Sequence, residues 1–309
     1  MSNDAPLLEL RRVSRTFGGG GLFRQRPVVA LNDFSLSVDD TKPTIVAVVG
    51  ESGSGKTTMA RLLLGLERPS SGQVLYRGTD LQRLPGEQWR EYRRNVQAIL
   101  QDPFGVYNAF YKVDHVLWTP LRKFKLASSR AEGQRLIEQA LLAVGLKPED
   151  TLGRYPHQLS GGQRQRTMVA RTLLLRPRAI VADEPVSMID ASLRATVLGN
   201  LLQLKRQFGI SLIYITHDLT TAYQISDRII VLHHGRVVEE GDPEQIINQP
   251  RHPYTRLLIA SIPEPDPERA WADGALDEPE ADEWEVTTTS SERTTATPGQ
   301  TVNERTVGT

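Results

Sequence analysis

One eight-residue segment, Gly50–Thr57, constrains the fold of this chain more than any other part of it. It reads Gly-Glu-Ser-Gly-Ser-Gly-Lys-Thr, follows the apolar run Ile45–Val49 and precedes a helix-favouring stretch from Met59. Glycines let the backbone curl until successive N–H groups point inward, and a helix N-terminus adds the positive end of a dipole. A buried strand, such a turn and a helix start are the context of a phosphate-binding loop. The segment therefore predicts a site for a nucleoside triphosphate.

The roles within this loop follow from the chemistry of its side chains. Lys56 would reach the β- and γ-phosphates, and the Thr57 hydroxyl would ligate Mg²⁺. The candidate nucleotide-binding residues of the segment are Gly50, Ser52, Gly53, Ser54, Gly55, Lys56, Thr57 and Thr58.

A pair of carboxylates ends a second apolar strand, Ala179–Ala182. Asp183 is the expected partner of the loop's Mg²⁺, and Glu184 is placed to polarise an attacking water. Acidic residues at strand ends are common, so the pair alone does not decide the class of enzyme. An Asn-Lys-x-Asp guanine-reading motif is absent from the sequence, which disfavours a GTPase.

The segment Leu159–Gln163, Leu-Ser-Gly-Gly-Gln, stands shortly before that strand and resembles the signature of the nucleotide-binding subunits of ABC transporters. The resemblance extends from about Leu7 to Pro263. It implies an α/β fold of the P-loop NTPase class, a RecA-like core with an N-terminal antiparallel β subdomain and an inserted helical subdomain. It also implies ATP and Mg²⁺ as cofactors.

The resemblance assigns further residues to an ATPase site shared between two subunits. Phe17 would stack on adenine, although a core phenylalanine would look the same in the sequence. His217 would contact the γ-phosphate, although a strand-end histidine satisfied by its neighbours would also look the same. The implied catalytic set is Glu184, Lys56, His217 and Gln101, and the implied Mg²⁺ ligands are Thr57, Gln101 and Asp183. The residues implied to complete the site of a partner subunit are Ser160, Gly161, Gly162, Gln163 and Asp190.

A narrower resemblance points to the paired ATPases of oligopeptide and dipeptide importers. It rests on the inserted segment Gly18–Pro27, on Leu100–Phe104 and on Gln249–Arg256. It implies an ATP-hydrolysing subunit that energises import of peptides or a related small solute through closure of an ATP-bound dimer. The implied partners are a second ATPase subunit, two transmembrane permease subunits and, indirectly, an extracytoplasmic solute-binding protein; no nucleic acid is expected. The implied location is the cytoplasmic face of the cell membrane.

The sequence departs from the family pattern at Ser187–Asp190, which reads Ser-Met-Ile-Asp where the family usually has Ser-Ala-Leu-Asp. Extra bulk at a subunit interface favours an asymmetric pair, a heterodimer. An alternative function is an ATPase subunit of a soluble, non-transport complex of the carbon–phosphorus lyase type. A DNA-repair or translation ABC protein is a third reading, but such proteins usually show a coiled-coil insertion or a second cassette.

Composition sets the remaining limits on the 309-residue chain. The absence of cysteine excludes thiol catalysis and cysteine-held iron–sulfur or zinc centres. No apolar run approaches the roughly 18 residues of a membrane span, and no signal-peptide core is apparent.

The expected ATPase domain is 1–263, with a helical insertion at about 104–159. Residues 264–309 hold twelve acidic residues against three arginines and many threonines, and are interpreted as a disordered tail. The pair His233–His234 is interpreted as a hairpin tip without a functional role.

Overall fold

The computed structural model describes residues 5–18, 27–100, 107–187 and 191–262, with the side chains of 191–193 left out. All of these belong to one compact unit, Met1–Arg269. Its described strands are β1 (Leu8–Phe17), β2 (Val28–Val38), β3 (Ile45–Val49), β4 (Ser71–Tyr76), β5 (Thr79–Asp80), β6 (Val96–Ile99), β7 (Ala179–Asp183), β8 (Ser211–Thr216), β9 (Arg228–His233) and β10 (Arg236–Gly241).

The described strands form two sheets. Four of them make an antiparallel sheet in the order β2-β1-β4-β5. The other six follow the order β10-β9-β3-β8-β7-β6, parallel throughout except for the hairpin between β9 and β10. The carboxyl ends of parallel strands meet at one edge of a sheet, and ligands of open α/β sheets bind there. The segments after β3, β7 and β8 therefore converge on one edge.

Helices pack on the parallel sheet, and several of them follow one another in the chain segment that connects β6 to β7. They are α1 (Lys56–Leu63), α2 (Gly86–Asn95), α3 (Asp114–Phe124), α4 (Arg130–Ala143), α5 (Pro148–Thr151), α6 (Gly161–Leu174), α7 (Ala191–Phe208), α8 (Leu219–Ile225), α9 (Pro243–Asn248) and α10 (Pro253–Ala260). Within the described ranges, none of these helices has the length and apolarity needed to cross a bilayer.

Burial explains why the parallel sheet forms at these positions. Every residue of β3, β7 and β8 is buried. Strands buried on both faces carry continuous apolar runs rather than alternating ones. The antiparallel sheet instead packs one face on the core, where Leu10, Phe34 and Met59 of α1 belong to one apolar cluster. The predicted α/β class with a central parallel sheet and an N-terminal antiparallel sheet is confirmed.

Candidate nucleotide site

The phosphate-binding loop connects β3 to α1 in a conformation that needs glycine. Gly55 has φ +108°, in the left-handed region, and serves as the N-cap of α1. A Cβ atom on Gly55 would lie 2.3 Å from the carbonyl oxygen of Ala30. No other residue fits so close to a neighbouring backbone.

Lys56 fills the centre of the curl. Its ammonium donates to the carbonyl oxygens of Gly50 and Glu51, both at 2.6 Å, and lies 3.4 Å from the Ser54 hydroxyl oxygen. The residue is 6% exposed. Burial lowers the pKa of Lys56, and the nearby carboxylates of Glu184, Asp183 and Glu51 oppose that shift. The cation is thus held inside the ring of backbone that a polyphosphate would occupy.

Two segments near the C-terminal end of the described residues form hydrogen bonds with the backbone of the phosphate-binding loop. The Gly235 N–H, in the β9–β10 turn, donates to the Ser54 carbonyl at 2.9 Å. The Glu51 N–H donates to the hydroxyl oxygen of Tyr254, in α10, at 2.9 Å. Because these bonds fix loop groups on two sides, the curl is set by tertiary contacts as well as by its glycines.

Two carboxylates and a histidine lie at the carboxyl ends of the neighbouring strands, as predicted. Asp183 is the last residue of β7 and is 8% exposed. Burial and the charge of Glu184 raise the pKa of Asp183, while Lys56 and a hydrogen bond with Thr57 lower it. A threonine hydroxyl beside a buried carboxylate is the hard oxygen donor set that Mg²⁺ prefers. These two residues fit a Mg²⁺ ion.

Glu184 and His217 form a pair next to Asp183. The Nδ1 atom of His217 lies 3.1 Å from Oε1 of Glu184. Glu184 adopts φ +46°, rare for a non-glycine residue, and its N–H donates to the Ile215 carbonyl at 2.9 Å. Such a backbone persists where the surroundings determine it, and it aims the carboxylate beside the histidine. The arrangement can orient a water and accept its proton.

The signature residues form the start of α6. Ser160 is its N-cap, and its hydroxyl oxygen accepts from the Gln163 N–H at 3.2 Å. The Gln163 side-chain oxygen accepts from the Ser160 N–H at 2.9 Å, which completes a capping box. Ser160 is exposed, and a Cβ atom on Gly161 would meet nothing within 4 Å. This helix start faces open space, but its action on a partner's nucleotide stays a prediction.

The remaining predicted residues have different outcomes. Phe17 ends β1 half-buried, with the Arg15 guanidinium carbon 4.5 Å from its ring centroid, so its role as adenine platform stays a prediction. Gln101 and Asp190 lie outside the described residues, and their roles also stay predictions.

Sequence reasoning missed a contact of the hairpin tip with the loop. The predicted hairpin is confirmed, with His234 and Gly235 both at positive φ in its turn. Nε2 of His233, however, lies 3.3 Å from Oε1 of Glu51, and the His233 ring stacks on Tyr254 at 3.9 Å between centroids. Burial and the neighbouring His234 and His252 lower the pKa of His233 to about 4. Local sequence carries no signal for this contact, because it depends on β9 lying beside β3.

Two family models match the chain. The model described as ABC transporter matches residues 31–187, and the one described as oligopeptide/dipeptide transporter, C-terminal region, matches residues 238–285. The first match spans the phosphate-binding loop, the signature and the carboxylate pair.

Curated relatives agree with both models. The oligopeptide transport ATP-binding protein OppF of Salmonella typhimurium is 42% identical over 72% of this chain and 66% of its own length. Its counterpart in Haemophilus influenzae is 38% identical over 86% of this chain and 81% of that protein. The dipeptide transport ATP-binding protein DppF of Lactococcus lactis is 38% identical over 86% and 84%, respectively.

Solved structures share the fold. A dimeric ATP-binding cassette in a post-hydrolysis state, bound to ADP and Pi, superposes with a TM-score of 0.66 at 26% identity, over 76% of this chain and 98% of that one. A dimeric bacterial ABC transporter cassette gives a TM-score of 0.67 at 26% identity over the same shares. The loop, the carboxylate pair and the signature agree with these matches. The chain therefore belongs to the ABC transporter family, as one of its ATP-hydrolysing, nucleotide-binding subunits.

Proposed function

We propose that this chain hydrolyses ATP to energise a membrane importer of peptides or a related small solute. The observation that carries the solute class is the match of residues 238–285 to the C-terminal region of oligopeptide and dipeptide transporters. Part of that region, α10, bonds directly to the phosphate-binding loop through Tyr254. The relatives named for peptide transport support the same class.

The chemistry follows from the positions of four side chains. Lys56 stabilises the charge on the transferring phosphoryl group from inside the loop. Glu184 orients a water and takes its proton, and His217, 3.1 Å away, holds the carboxylate and contacts the γ-phosphate. Thr57 and Asp183, with Gln101, would hold Mg²⁺, which neutralises phosphate charge when bound.

The complete site needs a second subunit. The exposed N-terminus of α6, with Ser160 at its cap, would face the γ-phosphate held by the partner's loop, because a helix N-terminus attracts anions. ATP then joins the two subunits and hydrolysis releases them. The Ser187–Asp190 departure favours a related but different partner, and two permease subunits and a solute-binding protein complete the proposed importer at the cytoplasmic face of the membrane.

The variant Glu184→Gln tests the assignment of the catalytic base. Loss of the base should lower the ATPase rate at least about 100-fold. With hydrolysis blocked, ATP should retain the subunits as a dimer in size-exclusion chromatography with light scattering, together with the partner where the pair is heteromeric. The exposed Glu149 of α5 provides the control Glu149→Gln, which should keep the wild-type rate. Wild-type turnover in Glu184→Gln would reject the assignment.

Copurification separates the importer from the soluble-complex alternative. The chain should be recovered from detergent-solubilised membranes together with permease subunits. Recovery only in soluble complexes, without a membrane subunit, would reject the importer while leaving the ATPase assignment intact.

A further inference from the structure

Three potential metal-binding side chains meet beside the phosphate-binding loop. Glu51 is the second residue of the loop, and His233 and His234 form the tip of the β9–β10 hairpin. One carboxylate oxygen of Glu51 and one ring nitrogen of each histidine all lie within 4.8 Å of one another. Nε2 of His233 lies 3.3 Å from Oε1 of Glu51.

The surroundings fix one of these ligands and leave the other two adjustable. The His233 ring is stacked on Tyr254 at 3.9 Å between centroids, and its side chain is only 12% exposed. The His234 ring lies 4.0 Å away between centroids, tilted by 49°. Glu51, with a side chain 46% exposed, and the exposed His234 have room to change rotamer. A fixed central ligand with two movable ones can close on an ion.

The donor set suits a transition-metal ion such as Zn²⁺. Two imidazoles and one carboxylate form the three-ligand set of zinc sites that keep an open position. Bonds of about 2.0–2.2 Å place tetrahedral ligands roughly 3.3 Å apart. The Glu51–His233 separation already has that value, and His234 needs a shift of about 1.5 Å at most.

We propose that Glu51, His233 and His234 form a Zn²⁺ site that ties the phosphate-binding loop to the β9–β10 hairpin. The ion takes the position between Nε2 of His233 and the Glu51 carboxylate, with the ring proton on Nδ1. The site is separate from the Mg²⁺ ligands Thr57 and Asp183, and it does not depend on the transported solute. Zinc would add a third tether to the two hydrogen bonds that already hold this loop, those from Gly235 and to Tyr254.

Calorimetric titration of the untagged, nucleotide-free full chain with Zn²⁺, after treatment with a chelator, tests the site. We expect one equivalent to bind, and Co²⁺ to give a visible d–d band that Zn²⁺ displaces. His234→Asn and Glu51→Gln should each weaken Zn²⁺ binding at least about tenfold. Asparagine tolerates the φ of +45° at position 234, so this variant keeps the turn.

Two histidine variants act as controls, with thermal melting to confirm that every variant folds. His157→Ala removes an exposed histidine of a short 3₁₀ turn, and His217→Ala removes the one beside Glu184. Both should bind Zn²⁺ as tightly as the wild type. Absent binding, wild-type affinity in His234→Asn, or loss of binding in His217→Ala would each overturn the proposal. None of these outcomes depends on ATP hydrolysis. The tests of the zinc site and the tests of the proposed function are therefore independent of each other.

Discussion

Replacing Tyr254 by Phe isolates the contribution of α10 to the nucleotide loop. The hydroxyl oxygen of Tyr254 accepts from the Glu51 N–H at 2.9 Å. The residue is 3% exposed, and its ring stacks on His233. Phenylalanine keeps the ring and removes the hydroxyl that accepts from the Glu51 N–H. Burial raises the pKa of Tyr254 to about 12, so the substitution changes no charge at neutral pH.

The expected change in the Kd for ATP follows from the net free energy of one hydrogen bond. Without its acceptor the Glu51 N–H must find water, which opens part of the loop population and lowers the fraction competent to bind ATP. A net 0.5–1.5 kcal/mol raises the Kd for ATP by at most about 2- to 13-fold. The rate kcat should stay close to wild type, because saturating ATP selects the competent form of the loop, Lys56 included, and because Glu184 and His217 follow other strands.

Fluorescent-nucleotide binding would measure the Kd for ATP, and a steady-state ATPase assay would measure kcat. Tyr223→Phe serves as the matched control, because that tyrosine lies exposed on α8. If Tyr254→Phe lowered kcat and left the Kd unchanged, the tyrosine would act on the chemical step and the reasoning from loop support would be refuted. An unchanged Kd and kcat would show that this bond does not set the fraction of loop that is competent to bind ATP, which would also refute the reasoning.

Three further substitutions test other parts of the structure. Gly55→Ala should abolish ATP binding and lower the melting temperature, because its Cβ would lie 2.3 Å from the Ala30 carbonyl oxygen. Asp183→Asn should raise the melting temperature of the nucleotide-free protein at neutral pH while abolishing ATPase activity. The pKa of Asp183 is raised in the folded state, so its ionisation destabilises the fold as pH rises through that pKa, and the gain should vanish near pH 4. Tyr92→Phe should cost about 1–3 kcal/mol in urea unfolding, because the buried Leu63 carbonyl loses its donor.

For each of these three substitutions, one measured result would contradict the prediction. Wild-type ATP affinity in Gly55→Ala would mean that the backbone near Ala30 yields easily. A lower melting temperature in Asp183→Asn at neutral pH would mean that attraction to Lys56 outweighs burial. An unfolding free energy unchanged in Tyr92→Phe would mean that water replaces the lost donor.

The parallel core could be predicted from the sequence because its signals are local. Strands β3, β7 and β8 contain continuous apolar runs of four or five residues, Ile45–Val49, Ala179–Ala182 and Leu212–Ile215. Ser129 followed three residues later by Glu132 is the sequence signature of a capping box and predicts a helix start at this position. In the structure Ser129 is the N-cap of α4, and its hydroxyl accepts from the Glu132 N–H at 3.1 Å. The second bond of a capping box differs, because the Glu132 carboxylate accepts from Ser128.

Other elements gave weaker signals and were missed. The seven-residue helix α8 is too short for a clear helical period, and its N-cap Asp218 accepts from the N–H groups of Thr220 and Thr221. The two-residue strand β5 exists only by pairing with β4.

The positions of the candidate site residues at strand ends were predictable, whereas the contacts that distant segments make with the loop were not. The loop motif, Asp183 and His217 could be read in the sequence because each follows an apolar strand. Tyr254 and His233 touch the loop only because of the strand order and the return of α10. Such contacts require knowledge of which strands are neighbours, and no periodicity records that.

The bond between Glu51 and Tyr254 joins residues 203 positions apart in the chain. Strand β3 likewise pairs with β8 and β9, both encoded far downstream. During synthesis, at about 5–20 residues per second, the ribosome must therefore work for roughly ten seconds or more after making the loop before its supports exist. A nascent chain carries the nucleotide motif long before it can hold it in shape. Until its last described helix has left the exit tunnel, the emerging protein lacks the bond from the Glu51 N–H to Tyr254, so we expect it to hold ATP more weakly than the finished chain does.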